Sequence, residues 1–199
     1  MSDTATFAAR SPMAGIVGLA GGNAGVTAVV RDGFGIATVM ARRGASDALN
    51  QRIRDRFGVD LPQGPCRSAG NAVVFVGTGP AAWLALVERD GNDLAPRLMG
   101  ELDGLASVSD QSDGYTLIRL SGTHVREALA KLIPIDVHPR AFKVGDVAST
   151  VASHIGVTVW RLPDQPDSLP VFEVILFRSL TNSFWDALAE AAGEYGFAG

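Results

Sequence analysis

The residues with the most chemical promise lie between Val73 and Leu86 (VVFVGTGPAAWLAL), where a β-branched run enters Gly77, Gly79 and Ala82 at the spacing of a dinucleotide fingerprint. That fingerprint needs a strand, a glycine turn and a helix starting at the turn, so that free N–H groups meet a pyrophosphate. Glu101 and Asp103 even lie near the distance expected of a ribose-binding acid. The helix is the part that fails. Ala81 to Glu88 leaves room for about two turns, Asp90-Gly91-Asn92 ends any continuation, and Pro96 comes next. Trp83, Leu84, Leu86 and Val87 suit a buried strand. The stretch is therefore expected to be strand–turn–strand, with glycine freeing φ and Pro80 fixing it.

The other reactive side chains are scattered. His124, His138 and His154 are not spaced i, i+4 from one another and have no Cys or carboxylate cluster beside them, so no metal-ligand pattern forms. His124 sits beside an apolar stripe, where a cap or contact role fits better than a base. His138 lies in Pro134-Ile135-Asp136-Val137-His138-Pro139-Arg140, a proline-stiffened loop that reads as a contact surface. Cys66 has Arg67 beside it but sits in a Pro/Gly loop with no histidine close in sequence. No G-x-S-x-G occurs, and the glycine-rich Leu19 to Gly25 lacks the Gly-Lys-Ser/Thr of a P-loop. Asp110 and Asp113 fall at a turn, where Asp is common. No catalytic, cofactor-binding or metal-ligating residue is expected. A well-built domain without such a site works by binding something.

Composition narrows the class. The chain has 199 residues, 47% hydrophobic and 19% charged, with a net charge of −4, which suits one folded body with a full core. No basic excess points to nucleic acid or to an anionic membrane surface. One cysteine excludes an internal disulfide framework and is compatible with the cytoplasm. Met1 to Pro12 does not have the pattern of a secretory signal, and the apolar runs fall short of about 20 residues, so no membrane span is expected.

The elements that must position these residues can be read in order. Asp32-Gly33 between Val26 to Arg31 and Phe34 to Met40 predicts a hairpin. Ser46 is expected to cap a helix to Phe57, with Leu49, Ile53 and Phe57 buried and Gly58 closing it. Strands come next at Ala72 to Val76 and Trp83 to Glu88, then a turn at Asp90 to Asp93 and a short helix with Pro96 in its first turn, ending near Asp103. Leu105 to Asp110 and Tyr115 to Leu120 are strand-like. Ser121 is expected to cap a helix to Leu132, with Val125, Ala128, Leu129 and Leu132 on one face and Glu127 and Lys131 paired on its surface. Gly156 to Leu162 and Val171 to Phe177 are strands joined by a proline-rich turn. Ser183 and Asp186 suggest a capping box for a last helix that buries Phe184, Leu188 and Ala191. The fold class is α+β: two similar strand–helix–strand–strand–helix units, about 26–104 and 105–196, form one compact body in a single domain over 1–199, with 1–18 flexible or extended.

Three stretches carry a resemblance. Gly79-Pro80-Ala81-Ala82-Trp83-Leu84 is similar to a G-P-x-x-W-L motif. Leu120-Ser121-Gly122-Thr123-His124-Val125-Arg126-Glu127-Ala128-Leu129-Ala130-Lys131-Leu132 is similar to L-S-G-x-x-A-R-x-x-L-x-K. Pro134-Ile135-Asp136-Val137-His138-Pro139-Arg140-Ala141-Phe142 is similar to P-x-D-L-H-P-R-x-F. These motifs, with the aromatic Phe184-Trp185 helix, resemble the gamma subunit of heterotetrameric sarcosine oxidase over about Pro65 to Gly196. Val125 in place of alanine and Thr123-His124 in place of Pro-x are small departures.

The resemblance implies a fold like that of the folate-binding aminomethyltransferases, with G-P-x-x-W-L in a hairpin. It implies a complex that demethylates sarcosine to glycine with oxygen, yielding hydrogen peroxide and 5,10-methylenetetrahydrofolate. FAD and FMN are then expected on the beta subunit, NAD and the tetrahydrofolate site on alpha, and zinc on delta, with no cofactor on this chain. Alpha, beta and delta subunits are the expected partners, and Trp83, His138, Arg140 and Trp185 the candidate contacts, since Trp and Arg are favoured anchors. Two alternatives stay open: the same scaffold in a related complex such as N-methylglutamate dehydrogenase, and an independent folate-binding or aminomethyl-transferring protein.

Overall fold

The computed structural model describes residues 24–70, 72–88 and 93–199. The expected turn at Asp90 and the N-terminal stretch 1–18 lie outside them. Eleven strands and four α-helices alternate along the described chain: β1 (Val26–Val30), β2 (Phe34–Ala41), α1 (Ser46–Phe57), β3 (Arg67–Ala69), β4 (Val74–Gly79), β5 (Ala82–Glu88), α2 (Leu94–Glu101), β6 (Ala106–Asp110), β7 (Tyr115–Ser121), α3 (Val125–Leu132), β8 (Val147–Ala152), β9 (Ile155–Leu162), β10 (Val171–Phe177), α4 (Thr181–Ala192) and β11 (Phe197–Ala198). They form two sheets, ordered β11-β1-β7-β10-β9-β8 and β3-β4-β5-β2-β6. The α+β expectation holds.

Period-2 burial explains the layering. In the six-stranded sheet Ile118, Leu120, Val159, Phe172 and Val174 face α3 and α4, burying Val125, Leu129, Phe184 and Leu188 between them. In the five-stranded sheet Ala37, Val39, Phe75, Trp83 and Ala85 face α1 and α2, covering Leu49, Ile53, Phe57 and Leu98. The alternate residues turn to the opposite faces, where Ile36, Val76, Leu84 and Leu86 meet Leu117, Val147, Trp160 and Ile175. The sheets thus pack on each other with a helix pair outside each, and both are buried on both faces. Along one edge the Cys66–Asp146 bridge and backbone bonds from Arg67 N–H to Gly145 O (2.8 Å) and from Val147 N–H to Pro65 O (2.9 Å) link them.

Several local expectations change. Val26 to Arg31 and Phe34 to Met40 do not form a hairpin: β1 pairs with β7 and β11, and β2 with β5 and β6. Asp32-Gly33, with Gly33 at φ 81°, carries the chain from one sheet to the other. Both strands find longer partners elsewhere, and tertiary pairing overrides the local turn signal. Ser46, Ser121 and Ser183 are not caps. Helix α1 starts after Ala45, Ser121 is the last residue of β7 and α3 starts after His124, and Ser183 lies inside α4. Each of these helices is held by the buried face it packs on its sheet, and the local cap preference is overruled. Strands β3, β8 and β11 were not foreseen.

Candidate functional site

The glycine turn at 77–82 is a β-hairpin. Val74, Phe75, Val76 and Gly77 pair with Leu86, Ala85, Leu84 and Trp83, with a bulge between Gly77 and Gly79. No helix starts there, so no N-terminal amides face a phosphate, and the dinucleotide alternative drops out. Gly77 has another physical reason: a Cβ there would stand 2.1 Å from Gly64 O. Gly122, in the Leu-Ser-Gly stretch, is bound in the same way. It sits at φ 130°, and a Cβ would stand 2.2 Å from Gly25 O. Both glycines are close-approach points of backbone on backbone.

The four candidate contact residues divide. Trp83 is buried on the helix side of its sheet, and its indole N–H donates to Pro62 O at 2.8 Å. Trp185 is buried in α4, edge-on to Phe197 with centroids 5.5 Å apart. His138 and Arg140 are exposed on a rigid loop. Asp136 Oδ1 accepts the His138 N–H at 2.8 Å, and His138 O accepts the N–H groups of Ala141 and Phe142 at 2.9 and 2.8 Å. His138 Nδ1 accepts the Arg140 N–H at 3.2 Å. Val137 and Phe142 point inward and are buried, Phe142 parallel to Phe172 at 6.3 Å. Arg161 Nη1 donates to Phe142 O at 3.2 Å. The loop therefore presents an imidazole and a guanidinium outward at low ordering cost. Of the remaining candidates, Cys66 is half-buried beside the link between the sheets, and His124 stacks on Tyr195 at 4.9 Å. Among the described residues no three His, Cys, Asp or Glu side chains gather to hold a metal, and no helix is long and apolar enough to cross a membrane.

A polar cluster between the sheets was missed by the sequence reading. Arg119 on β7, Glu173 on β10 and Trp160 on β9 are cross-strand neighbours on the face that meets the other sheet. Glu173 is 5% exposed. Its Oε1 accepts from Arg119 Nη2 at 2.6 Å and Nε at 3.1 Å, and its Oε2 accepts the Trp160 N–H at 2.9 Å. Charge-assisted bonds of this kind are the strong ones. Facing them from β3 is Arg67, opposite Val76 and so on the inward side of its sheet. Burial lowers the Arg67 pKa from its ordinary value; Glu173 raises it and Arg119 lowers it further. These residues line a cleft of about 720 Å³ with Phe34, Leu86 and Leu117. The signal was present in the sequence: Arg119 interrupts Leu117-Ile118 and Leu120, and Glu173 interrupts Val171-Phe172 and Val174-Ile175-Leu176. A charge inside an otherwise apolar strand is buried and paired or it is functional.

Comparison with known proteins points the same way. The model of the sarcosine oxidase gamma subunit family matches residues 41–194. The sarcosine oxidase subunit gamma of Arthrobacter sp is 30% identical over 150 residues, 74% of this chain and 73% of that one. That of Corynebacterium sp. (strain P-1) is 32% identical over 116 residues, 57% of each. Among solved structures, a chain of the heterotetrameric sarcosine oxidase from Corynebacterium sp. U-96 in complex with pyrrole 2-carboxylate superposes with a TM-score of 0.76 at 25% identity, covering 96% of this chain and 98% of that one. Aminomethyltransferase T of the glycine cleavage system from Bartonella henselae shares the fold, with a TM-score of 0.64 at 11% identity over 89% of this chain and 48% of that one.

Proposed function

The chain belongs to the sarcosine oxidase gamma subunit family, and from that premise we propose that it is the structural, non-catalytic gamma subunit of a cytoplasmic heterotetrameric sarcosine oxidase. The complex demethylates sarcosine to glycine, with hydrogen peroxide and 5,10-methylenetetrahydrofolate as products. FAD, FMN, NAD, zinc and tetrahydrofolate belong to its alpha, beta and delta subunits. The observation that carries this reading is the near full-length superposition on a chain of such a complex. The chain's contribution is to bury surface against its partners. His138 and Arg140 make the direct contacts, held by the Asp136 turn. Trp83 and Trp185 are buried within the chain itself, and they act on the interface only through the two cores they fill.

The halves about 26–104 and 105–196 form a pseudo-repeat within one domain. In support, each half runs two strands, helix, three strands, helix, and the sheet orders β3-β4-β5-β2 and β8-β9-β10-β7 correspond strand for strand.

The test is purification of the tagged full chain from its host, with identification of what accompanies it. Three further subunits, a flavin absorbance spectrum and sarcosine-dependent peroxide are the expected result. A colourless species that binds tetrahydrofolate by itself refutes it. The double variant His138→Ala, Arg140→Ala is expected to release the chain from the complex at least about tenfold more readily, since a buried arginine anchor commonly carries about 2 kcal/mol. Unchanged assembly removes these two residues from the interface.

A further inference from the structure

The arginine cleft between the sheets holds a guanidinium that no acceptor among the described residues meets. Both oxygens of Glu173 are already engaged, Oε1 by Arg119 and Oε2 by Trp160. Arg67 is left without an acceptor among the described residues, and its Nε is shielded from solvent as well. Among the described residues Arg67, Arg97, Arg119, Glu88 and Glu173 line the cleft, and Glu173 answers Arg119. Glu88 is itself paired with Arg31, and Arg97 lies over the Phe57 ring at 5.0 Å. Arg67 is therefore the lining guanidinium with neither a paired carboxylate nor a ring contact among the described residues. A half-buried guanidinium with an unanswered N–H is costly until an anion meets it.

We propose that this cleft is a binding site for a small monocarboxylate, whose oxygens dock on the Arg67 guanidinium. The planar fork of arginine matches a carboxylate bidentately. The nearby carboxylates of Glu173 and Glu88 favour a monoanion over a phosphate dianion. Phe34, Leu86 and Leu117 in the lining give a short carbon body an apolar wall. The volume of about 720 Å³ is ample for such a molecule. This site is separate from the proposed assembly loop at His138 and Arg140.

Trifluoroacetate is a direct probe, read by ¹⁹F NMR on the full chain. The expected result is saturable binding with Kd on the order of 1 mM, weakened at least about tenfold by Arg67→Gln, partly restored by Arg67→Lys, and absent for trifluoroethylammonium. Because the Arg67 side chain donates no hydrogen bond to the described residues, the Gln variant is expected to fold, which circular dichroism checks. A non-saturating response, or equal affinity in folded Arg67→Gln, overturns the proposal. In the assembled complex the same difference between wild type and variant is expected. A difference seen only in the free chain assigns the site to an acidic side chain of a partner and also overturns it. Arg67→Gln is expected to leave assembly unchanged, so this test fails or succeeds apart from the subunit reading.

Discussion

Replacing Glu173 by Gln removes one charge and almost no volume, so its effect isolates the electrostatics of the inter-sheet cluster. Glu173 accepts two hydrogen bonds from Arg119 and one from Trp160. A glutamine has one acceptor oxygen. Turned toward Arg119, it aims its NH₂ at the Trp160 N–H; turned toward Trp160, it aims its NH₂ at a guanidinium. Either way a buried donor faces a donor, and Arg119 loses its counter-charge. Breaking a buried pair costs about 3–5 kcal/mol. The Arg119 side chain is 35% exposed, which keeps water within reach and places the expected loss at the lower end, about 3 kcal/mol. In a chain of this size each kcal/mol moves Tm by about 2–4 °C, so a drop of about 6–12 °C is expected in scanning calorimetry. The double variant Arg119→Met, Glu173→Gln lets the amide oxygen turn to Trp160 without opposing a guanidinium, and is expected to be less destabilised than Glu173→Gln alone. If the single variant loses less than about 2 °C, or the double variant loses the full sum of the two single changes, Glu173 is not stabilised through Arg119 and the account of the cluster is wrong.

Other perturbations address the hairpin, the core and the surface. Gly77→Ala brings a Cβ to 2.1 Å from Gly64 O and is expected to cost about 2 kcal/mol or more. Gly79→Ala meets only Ala82 Cβ at 4.0 Å and is expected to stay within about 0.5 kcal/mol; urea unfolding of both variants reads the asymmetry. Trp83→Phe deletes the bond to Pro62 O and is expected to cost about 1 kcal/mol by the same measurement. The surface pair Lys131–Glu194 holds the Glu194 carboxyl below its ordinary 4.5 and the Lys131 ammonium above its ordinary 10.5. Its stabilisation is therefore fully present between those two ordinary values. It is lost as pH falls through the lowered Glu194 pKa, or rises through the raised Lys131 pKa. The Tm difference between wild type and Glu194→Gln is expected to be flat across that window and to shrink at both ends, and a difference independent of pH refutes the linkage.

The range of the forces involved decides which features are legible in the sequence. Helix α1 from Ser46 to Phe57 was readable because Leu49, Ile53 and Phe57 repeat at the period of one buried face. The β4–β5 hairpin was readable because Gly77 to Ala82 cannot start a helix before the next break, which is a local argument. The separation of β1 from β2 was not readable. Asp32-Gly33 has the local preference of a hairpin turn, and only pairing with β7, far along the chain, decides otherwise. The caps failed for a related reason, since helix starts here are set by packing against the sheets. At the candidate site, the Asp136–Phe142 loop stood out because its Pro, His and Arg serve no strand or helix pattern. The Arg67–Arg119–Glu173–Trp160 cluster did not, because its members come from four strands and meet only when two sheets stack. The lone charges within β7 and β10 were the available signal.

The placement of β1 sets an order of events. Strand β1 lies between β7 and β11, pairing Val30 with Ile118 and Val26 with Phe197. During synthesis, β1 emerges early and waits for both neighbours. Residues 34–110, by contrast, hold every strand of the five-stranded sheet and can condense on the ribosome. The six-stranded sheet closes only once the strand at 197–198 has been made, at the loop-closure cost of a contact spanning about 170 residues. Any partner that docks on the completed six-stranded sheet therefore waits for residues 197–198, and one that docks on the five-stranded sheet needs only residues 34–110.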